Sequence, residues 1–295
     1  MIKINDLLNN RYRIVSLLGH GGMSDVFEAR DIIFKRTVAV KIIKPEFADK
    51  PENLIRFENE ARFSSTLNHP NIIKIYDYSK QDSLPYIVNE YVKGQTLRDF
   101  LDFKKKFQVS EACRIMLQLC DAVIYIHSKN IIHRDIKPQN IYYDTNGDVK
   151  LGDFGISYLL NSTFNINENK RVMGTAQYLA PEIVKGQLPT FQTDIYAIGI
   201  TFYELVTGKV PFDGTNPSEI AKLHISGTIP SPQKIIPSLP KEVSNIIYKA
   251  TNKNLNLRYK NVQEMKNDLI SLYNNKKAMR KGTSLLSRIF GFAND

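Results

Sequence analysis

At 295 residues, 42% of them hydrophobic and 24% charged, the chain has an ordinary globular balance and room for one large domain or two lobes sharing a cleft. No apolar run approaches the roughly 18 residues needed to span a bilayer. The opening "MIKINDLLNNRYRI" lacks the cationic end, apolar core and small-residue cleavage site of a secretory leader, so the expected location is the cytoplasm. The net charge of +10 admits nucleic acid, acidic lipid or an anionic ligand as partner. Lysines spread along the chain, with no arginine-rich arm or aromatic–basic alternation, read as a solvated surface, and no nucleic acid is expected.

The first third is strand-rich. "YRIVSLLGHGGMSDVFEARD" reads as strand, glycine turn, strand, with Val15, Leu17, Val26 and Phe27 as strand formers around Gly19, Gly21 and Gly22. Such a hairpin is either a plain turn or a loop whose N–H groups approach a phosphate unhindered by a Cβ. "TVAVKII" then places Lys41 in the middle of a β-branched strand. An ammonium there must point to solvent or meet an anion, because burying it unpaired is costly. In "NLIRFENEARFSSTLNHPNI", Leu54, Phe57, Ala61 and Leu67 fall near helical spacing and "NHP" ends the helix. Glu60 within it is either solvated or reaches back to Lys41. "LPYIVNEYVKGQTL" supplies one more strand, Tyr86 to Val92, closed by Gly94.

Beyond that point the pattern turns helical. "SEACRIMLQLCDAVIYIH" reads as one helix carrying both cysteines, Cys113 and Cys120. Two turns of rise set them about 10 Å apart, beyond the roughly 7 Å reach of a disulfide, so they are read as buried thiols of a reducing compartment. "IIHRDIKPQNIYYDTNGDVKLGDFG" reads as loop, hairpin, loop: "IYY" and "VKL" are short strands and Asn-Gly marks the turn. The hairpin brings Asn140 and Asp153 to the ends of paired strands, where with Asp135 and Lys137 they make two carboxylates, an amide and an ammonium. That set suits a triphosphate with a divalent metal. A spare carboxylate can accept the proton of an attacking hydroxyl, and a lysine can balance charge on the transferred group.

The ordered stretches "LGHGGMSDVF", "VAVK", "RFENEA", "NHPNI", "HRDIKPQN", "DFG", "GTAQYLAPE", "TDIYAIGITFYELVTGKVPF" and "NLNLRY" resemble a protein kinase catalytic domain, most like the eukaryotic-like serine/threonine kinases of bacteria. The resemblance spans residues 10–275. It implies an α+β bilobal kinase fold: a small lobe (10–89) with an antiparallel five-stranded sheet and one main helix, a hinge (90–94), and a larger, mostly helical lobe (95–275). ATP is expected between the lobes, with Mg²⁺ or Mn²⁺. By the family's pattern, Leu18, Gly19, His20, Gly21, Gly22, Met23, Ser24, Asp25 and Val26 cover the phosphates. Lys41 contacts them and pairs with Glu60. Ala39 and Val26 roof the adenine, and main-chain groups of Glu90 and Val92 bond its edge. Asp135 is the expected base, Lys137 the partner of the γ-phosphate, and Asn140 and Asp153 the metal ligands. Glu182 and Arg258 are expected to form a buried ion pair, and Asp194 to tie down the catalytic loop. Lys137 and Thr175 resemble the serine/threonine branch, so the implied partners are proteins with Ser or Thr acceptors, the chain itself included. Relatives dimerise through the back of the small lobe, which makes a homodimer an expected partner too.

Departures from the pattern carry their own expectations. Ser24 replaces the third glycine, and its hydroxyl adds a phosphate contact at most. Asn89 stands at the gatekeeper position and needs a partner for its amide: a backbone group, a water or the adenine region. Tyr142 replaces an aliphatic adenine floor, and either stacks under the purine or narrows the pocket. Arg134 precedes Asp135, as in kinases activated by a loop phosphate, yet "NINENKRVMGT" has no hydroxyl before its Gly-Thr. Glu168 is expected to supply a weaker permanent charge, unless it is simply solvated; Ser162 and Thr163 are the nearest hydroxyls upstream. Finally, 276–295 is a basic stretch with Leu285, Leu286, Ile289 and Phe290 on one helical face. It either rests on anionic lipid, packs against protein, or stays unstructured. An ATP-binding pseudokinase scaffold is the alternative function.

Overall fold

The computed structural model describes residues 2–79, 85–154 and 176–275. Ser162, Thr163, Glu168, Thr175 and the segment 276–295 lie outside the described residues. The chain forms two compact units, Met1–Gln95 with Asn140–Ser162, and Thr96–Gln139 with Thr163–Asp295.

In the first unit, β1 (Leu7–Leu8), β2 (Tyr12–His20), β3 (Ser24–Asp31), β4 (Arg36–Ile43), β5 (Ile75–Ser79) and β6 (Tyr86–Glu90) form one sheet ordered β1-β2-β3-β4-β6-β5. The sheet has six strands where five were expected. The extra one, β1, pairs Leu7 with Arg13 and Leu8 with Tyr12. Its turn is built on Asn9 and Asn10, both at positive φ, a conformation that asparagine tolerates better than other side-chain-bearing residues.

Alternation along β4 separates the two faces of the sheet. Val38, Val40 and Ile42 join Tyr12, Ile14, Ala29, Tyr86 and Val88 in one buried cluster. On the opposite face, Ile43 and Ile87 pack with Phe57 and Ala61 of α2 (Pro51–Ser64), which follows the short α1 (Pro45–Ala48). Each buried aliphatic side chain contributes roughly 1.5–3 kcal/mol, and a one-residue slip would carry Lys41 into the apolar side. The register is therefore strongly fixed.

A second sheet, β7-β8-β9, comprises β7 (Gly94–Thr96), β8 (Ile141–Asp144) and β9 (Val149–Leu151). Gly147 turns the β8–β9 hairpin at φ 83°, while Asp144 Oδ1 accepts from the N–H groups of Asn146 and Asp148, each at 2.8 Å. The hairpin packs against the 1–95 segment of its own unit. Leu151 N–H donates to Asn71 O, and Asn71 Nδ2 donates to Val149 O, both at 2.8 Å.

The second unit is helical: α3 (Leu97–Lys104), α4 (Val109–Ser128), α5 (Pro181–Val184), α6 (Phe191–Thr207), α7 (Pro217–Ser226), α8 (Pro232–Ile235), α9 (Lys241–Ala250) and a last helix over 262–275. Both cysteines are buried free thiols on α4. α6 is the unit's axis, buried at every residue from Thr193 to Thr207; it is mostly apolar on every side, and its two buried carboxylates, Asp194 and Glu204, are hydrogen-bonded. Gly199 lets α9 approach it, for a Cβ there would stand 2.7 Å from that of Ala250. Among the described residues no helix is long and apolar enough to cross a membrane.

Candidate active site

In the first unit, β2 and β3 run antiparallel to the glycine turn, with Gly19 opposite Val26 and His20 opposite Asp25. The turn is tight: Gly21 N–H donates to Ser24 O at 2.8 Å. A Cβ at Gly21 would lie 2.6 Å from that same oxygen, so only glycine fits. At Gly19 a Cβ would meet nothing within 4 Å; there the missing side chain leaves open space instead of relieving a clash. Leu18, His20 and Gly22 are exposed, Met23 and Asp25 half-buried, and Ser24 is 4% exposed, which favours a small residue.

Cross-strand pairing sets Val26 beside Lys41 and Ala39 beside Asn89. Residues two apart on a strand share a face, so Val26, Ala39, Lys41 and Asn89 share one. The half-buried Asn89 amide makes no hydrogen bond to another described residue, and the backbone partner considered for it is not found among them. Glu90 ends β6; its N–H donates to Lys74 O at 2.7 Å and its carboxylate takes Lys150 Nζ at 2.9 Å. Val92 O accepts from Gly94 N–H at 2.9 Å.

Lys41 is the centre of the first unit's charged cluster. It lies on the face covered by α2, so Glu60 comes within reach: Lys41 Nζ donates to Glu60 Oε1 at 2.6 Å and to Asp153 Oδ1 at 2.8 Å. Burial disfavours its charge, but Asp153 and then Glu60 outweigh burial, and the ammonium stays protonated well above the ordinary lysine range. The β8–β9 hairpin delivers Asp153. Ile141 pairs with Leu151, and Gly152 N–H donates to Asn140 O at 2.9 Å. Asn140, 6% exposed at the end of a single 3₁₀ turn, and Asp153 therefore flank one backbone bond. Asp153 sits at φ 50°, a left-handed conformation that its surroundings must impose. Tyr142 lies on β8 with its ring against Gly152, where a Cβ would be 3.5 Å from Cε2.

The second unit carries a polar cluster of its own. Asp194, fully buried in the first turn of α6, accepts from His133 N–H and Arg134 N–H at 2.8 Å each and contacts His127 Nε2 at 2.8 Å. These bonds hold the loop through Arg134, which sits at φ 70°. Two residues on, Asp135 Oδ2 pairs with Lys137 Nζ at 2.8 Å. A cavity of about 20 Å³ beside Asp135, lined also by Tyr178, Ala180 and Ala197, has room for about one water. Glu182 and Arg258 form the expected buried pair, at 2.8 and 3.1 Å. Sequence reasoning missed His127, and also a buried relay in which Arg98 (2.6 Å) and the Tyr178 hydroxyl (2.5 Å) both donate to Glu204. The three residues sit on three separate segments, and no spacing rule joins them.

Chemically, the first unit offers hard oxygen donors at Asn140 and Asp153, an ammonium, and open N–H groups in a glycine turn. Among the described residues no group of three or more His, Cys, Asp or Glu could cage a metal. An amide and a carboxylate are oxygen donors of the kind that a hard divalent ion accepts while keeping much of its water. The second unit offers a carboxylate beside an ammonium.

Comparison with known proteins agrees with this chemistry. The family described as "Protein kinase domain" matches residues 12–271. The chain is 42% identical over 266 residues to the serine/threonine-protein kinase PrkC of Bacillus subtilis, covering 90% of this chain and 41% of that protein. It is 38% identical over 270 residues to the probable serine/threonine-protein kinase PknB of Lactococcus lactis, covering 91% and 43%. Identity to the serine/threonine-protein kinase PknB of Mycolicibacterium smegmatis is 38% over 271 residues, covering 90% and 43%. The chain spans less than half the length of these relatives. A match that runs from the start of β2 into the last described helix takes in both units, and the chain belongs to the protein kinase domain family.

Proposed function

We propose that the chain is a eukaryotic-like serine/threonine protein kinase of the bacterial type, its functional unit running over residues 10–275. It moves the γ-phosphate of ATP to the hydroxyl of a protein serine or threonine, its own included. The observation that carries this reading is the pair of hydrogen bonds from Lys41 to Glu60 and Asp153: they hold a cation directly beside a carboxylate of a type that can bind metal. ATP and a divalent metal are what the family uses; Mg²⁺ is proposed here, with Mn²⁺ as substitute.

The turn from Leu18 to Val26 covers the phosphates, and Lys41 neutralises those nearest the base. Val26 and Ala39 form the roof of the adenine pocket and Tyr142 its floor, with Glu90 and Val92 main-chain groups at the edge. Asn140 and Asp153 hold the metal. When bound, metal–ATP supplies the transferable phosphoryl group. Asp135 takes the proton of the acceptor hydroxyl as that oxygen bonds phosphorus and the bond to the β-phosphate oxygen breaks. Lys137 balances the charge on the group in transit, and Thr175 is the threonine that marks the serine/threonine branch.

Cytoplasmic placement, contact of 276–295 with an anionic lipid surface, and a homodimer belong to the same reading. The exposed turn Ile32–Phe34 between β3 and β4 is the surface proposed for the dimer, which sedimentation of the purified chain would reveal.

The test is transfer from γ-labelled ATP, with Mg²⁺ or Mn²⁺, to the chain itself and to a generic basic protein, followed by phosphoamino-acid analysis. Label on serine and threonine is expected, falling about a hundredfold or more in Asp153→Asn. Nucleotide binding without any transfer would replace this reading with the ATP-binding scaffold.

A further inference from the structure

The glycine turn is held by a residue that the family roles above leave unused. Lys44 follows β4 directly. Its N–H donates to Met23 O at 2.9 Å, and its Nζ donates to Gly21 O at 2.8 Å. The same ammonium is 3.5 Å from Asp25 Oδ1, which is 2.9 Å from His20 Nδ1 across the hairpin. One lysine therefore gathers two carbonyls from the tip of the turn and one carboxylate from its base.

That has a directional consequence. A trans peptide is planar, with its C=O and N–H pointing in opposite directions. The Gly21 carbonyl shares a peptide with the Gly22 N–H, so drawing the carbonyl onto Lys44 aims the Gly22 N–H away from it. Gly22 is exposed, and its N–H makes no hydrogen bond to a described residue. A main-chain N–H fixed in an exposed turn and left open is a donor for an anion. The Gly21–Ser24 bond holds the same turn from within.

We propose that Lys44 is a positioning residue for nucleotide: by clamping the Gly21 and Met23 carbonyls it sets the glycine turn with the Gly22 N–H facing the phosphate oxygens. The proposal rests on the kinase reading and adds a residue to its site. Lys44 does not touch the nucleotide. It acts through the backbone of the turn, so its loss weakens nucleotide binding and leaves acceptor binding alone.

Two measurements on the full chain separate this role from others. The first is amide exchange at Gly21 and Gly22 without nucleotide; the second is the Kd of a fluorescent ATP analogue, with KM for a protein acceptor alongside. In Lys44→Met, Gly21 exchanges faster, the Kd rises about tenfold through lost pre-organisation, and KM for the acceptor is unchanged. Lys44→Arg, which can still donate to Gly21 O and pair with Asp25, restores most of both. An unchanged Kd in Lys44→Met overturns the proposal. So does a raised Kd with unaltered Gly21 exchange, which would mean direct contact with the nucleotide. Failure of the unsubstituted chain to bind the analogue overturns the nucleotide reading itself, and this proposal with it; the exchange data would still show whether the clamp exists.

Discussion

Arg258 has a fully buried side chain and Glu182 is 4% exposed, a placement that charges tolerate only when their hydrogen bonds are met. Here they are. Arg258 Nε donates to Asn252 O, one terminal nitrogen to Glu182 and Gln192 O, and the other to Glu182. Thr193 Oγ1 supplies Glu182 with a further donor at 3.0 Å. Removing the carboxylate would strand a buried cation, so Glu182→Ala is expected to cost about 3–5 kcal/mol in urea unfolding. Glu182→Gln, which keeps an acceptor and the shape, should cost less. Equal unfolding midpoints for the alanine variant and the parent would show that water reaches Arg258 after all. The contrast with Lys41 is instructive: that ammonium meets two carboxylates where Arg258 meets one, and Asp153 is 42% exposed. One pair braces the fold; the other is open to exchange.

At the scale of elements, α7 carries a histidine that never meets water. His224 is fully buried, its Nδ1 is 2.7 Å from the Tyr196 hydroxyl, and Phe212 stands edge-on at 5.0 Å. Burial, then the charge of Lys253, pushes its imidazole from 6.5 down to about 3, against a smaller opposing pull from the Gln177 main chain. Unfolded chain takes up this proton near 6.5 and folded chain only near 3, so between those values the unfolded state binds more protons. Stability is therefore complete above pH 6.5 and falls as pH drops, by about 1.4 kcal/mol per pH unit from this group. His224→Phe should remove that share of the slope. Urea midpoints compared at pH 6.5, 5.5 and 4.5 check it, and parallel declines in both proteins would count against a neutral buried ring. Elements differ just as much in how far sequence exposes them. β4 and the β8–β9 hairpin are legible because alternation and Asn-Gly are local signals. α6 is legible through its motif, but β1 is too short for any period. Of the site, Lys41, Glu60, Asp135, Asn140 and Asp153 could be named from motif order. The Lys44 clamp and the Arg98–Glu204–Tyr178 relay depend on backbone paths that no spacing encodes.

For the whole molecule, the decisive feature is that the first unit is discontinuous in sequence, taking Asn140–Ser162 as well as Met1–Gln95. The shift from strand-rich to helix-rich composition near residue 94 does not announce this, because a hairpin of two short strands adds little to composition. Its contribution to packing is larger. Ile72 bridges Leu151, Ile73 N–H donates to Leu151 O at 2.9 Å, and Lys150 bonds Glu90 and Pro70 O. Ile141, Val149 and Leu151 are completely buried. At roughly 1.5–3 kcal/mol for each such side chain, losing the hairpin removes an amount comparable with the 5–15 kcal/mol that holds a typical domain together. Residues 1–95 alone are therefore expected to unfold without a cooperative transition. Joining 1–95 to 140–162 through a glycine–serine linker, with 96–139 left out, should restore one. Urea titrations followed by amide chemical-shift dispersion read both outcomes. If the shorter fragment already shows dispersed amides and the same midpoint as the joined one, the hairpin is an ornament on a self-sufficient sheet, and the delivery of Asp153 to Lys41 must draw on contacts other than these.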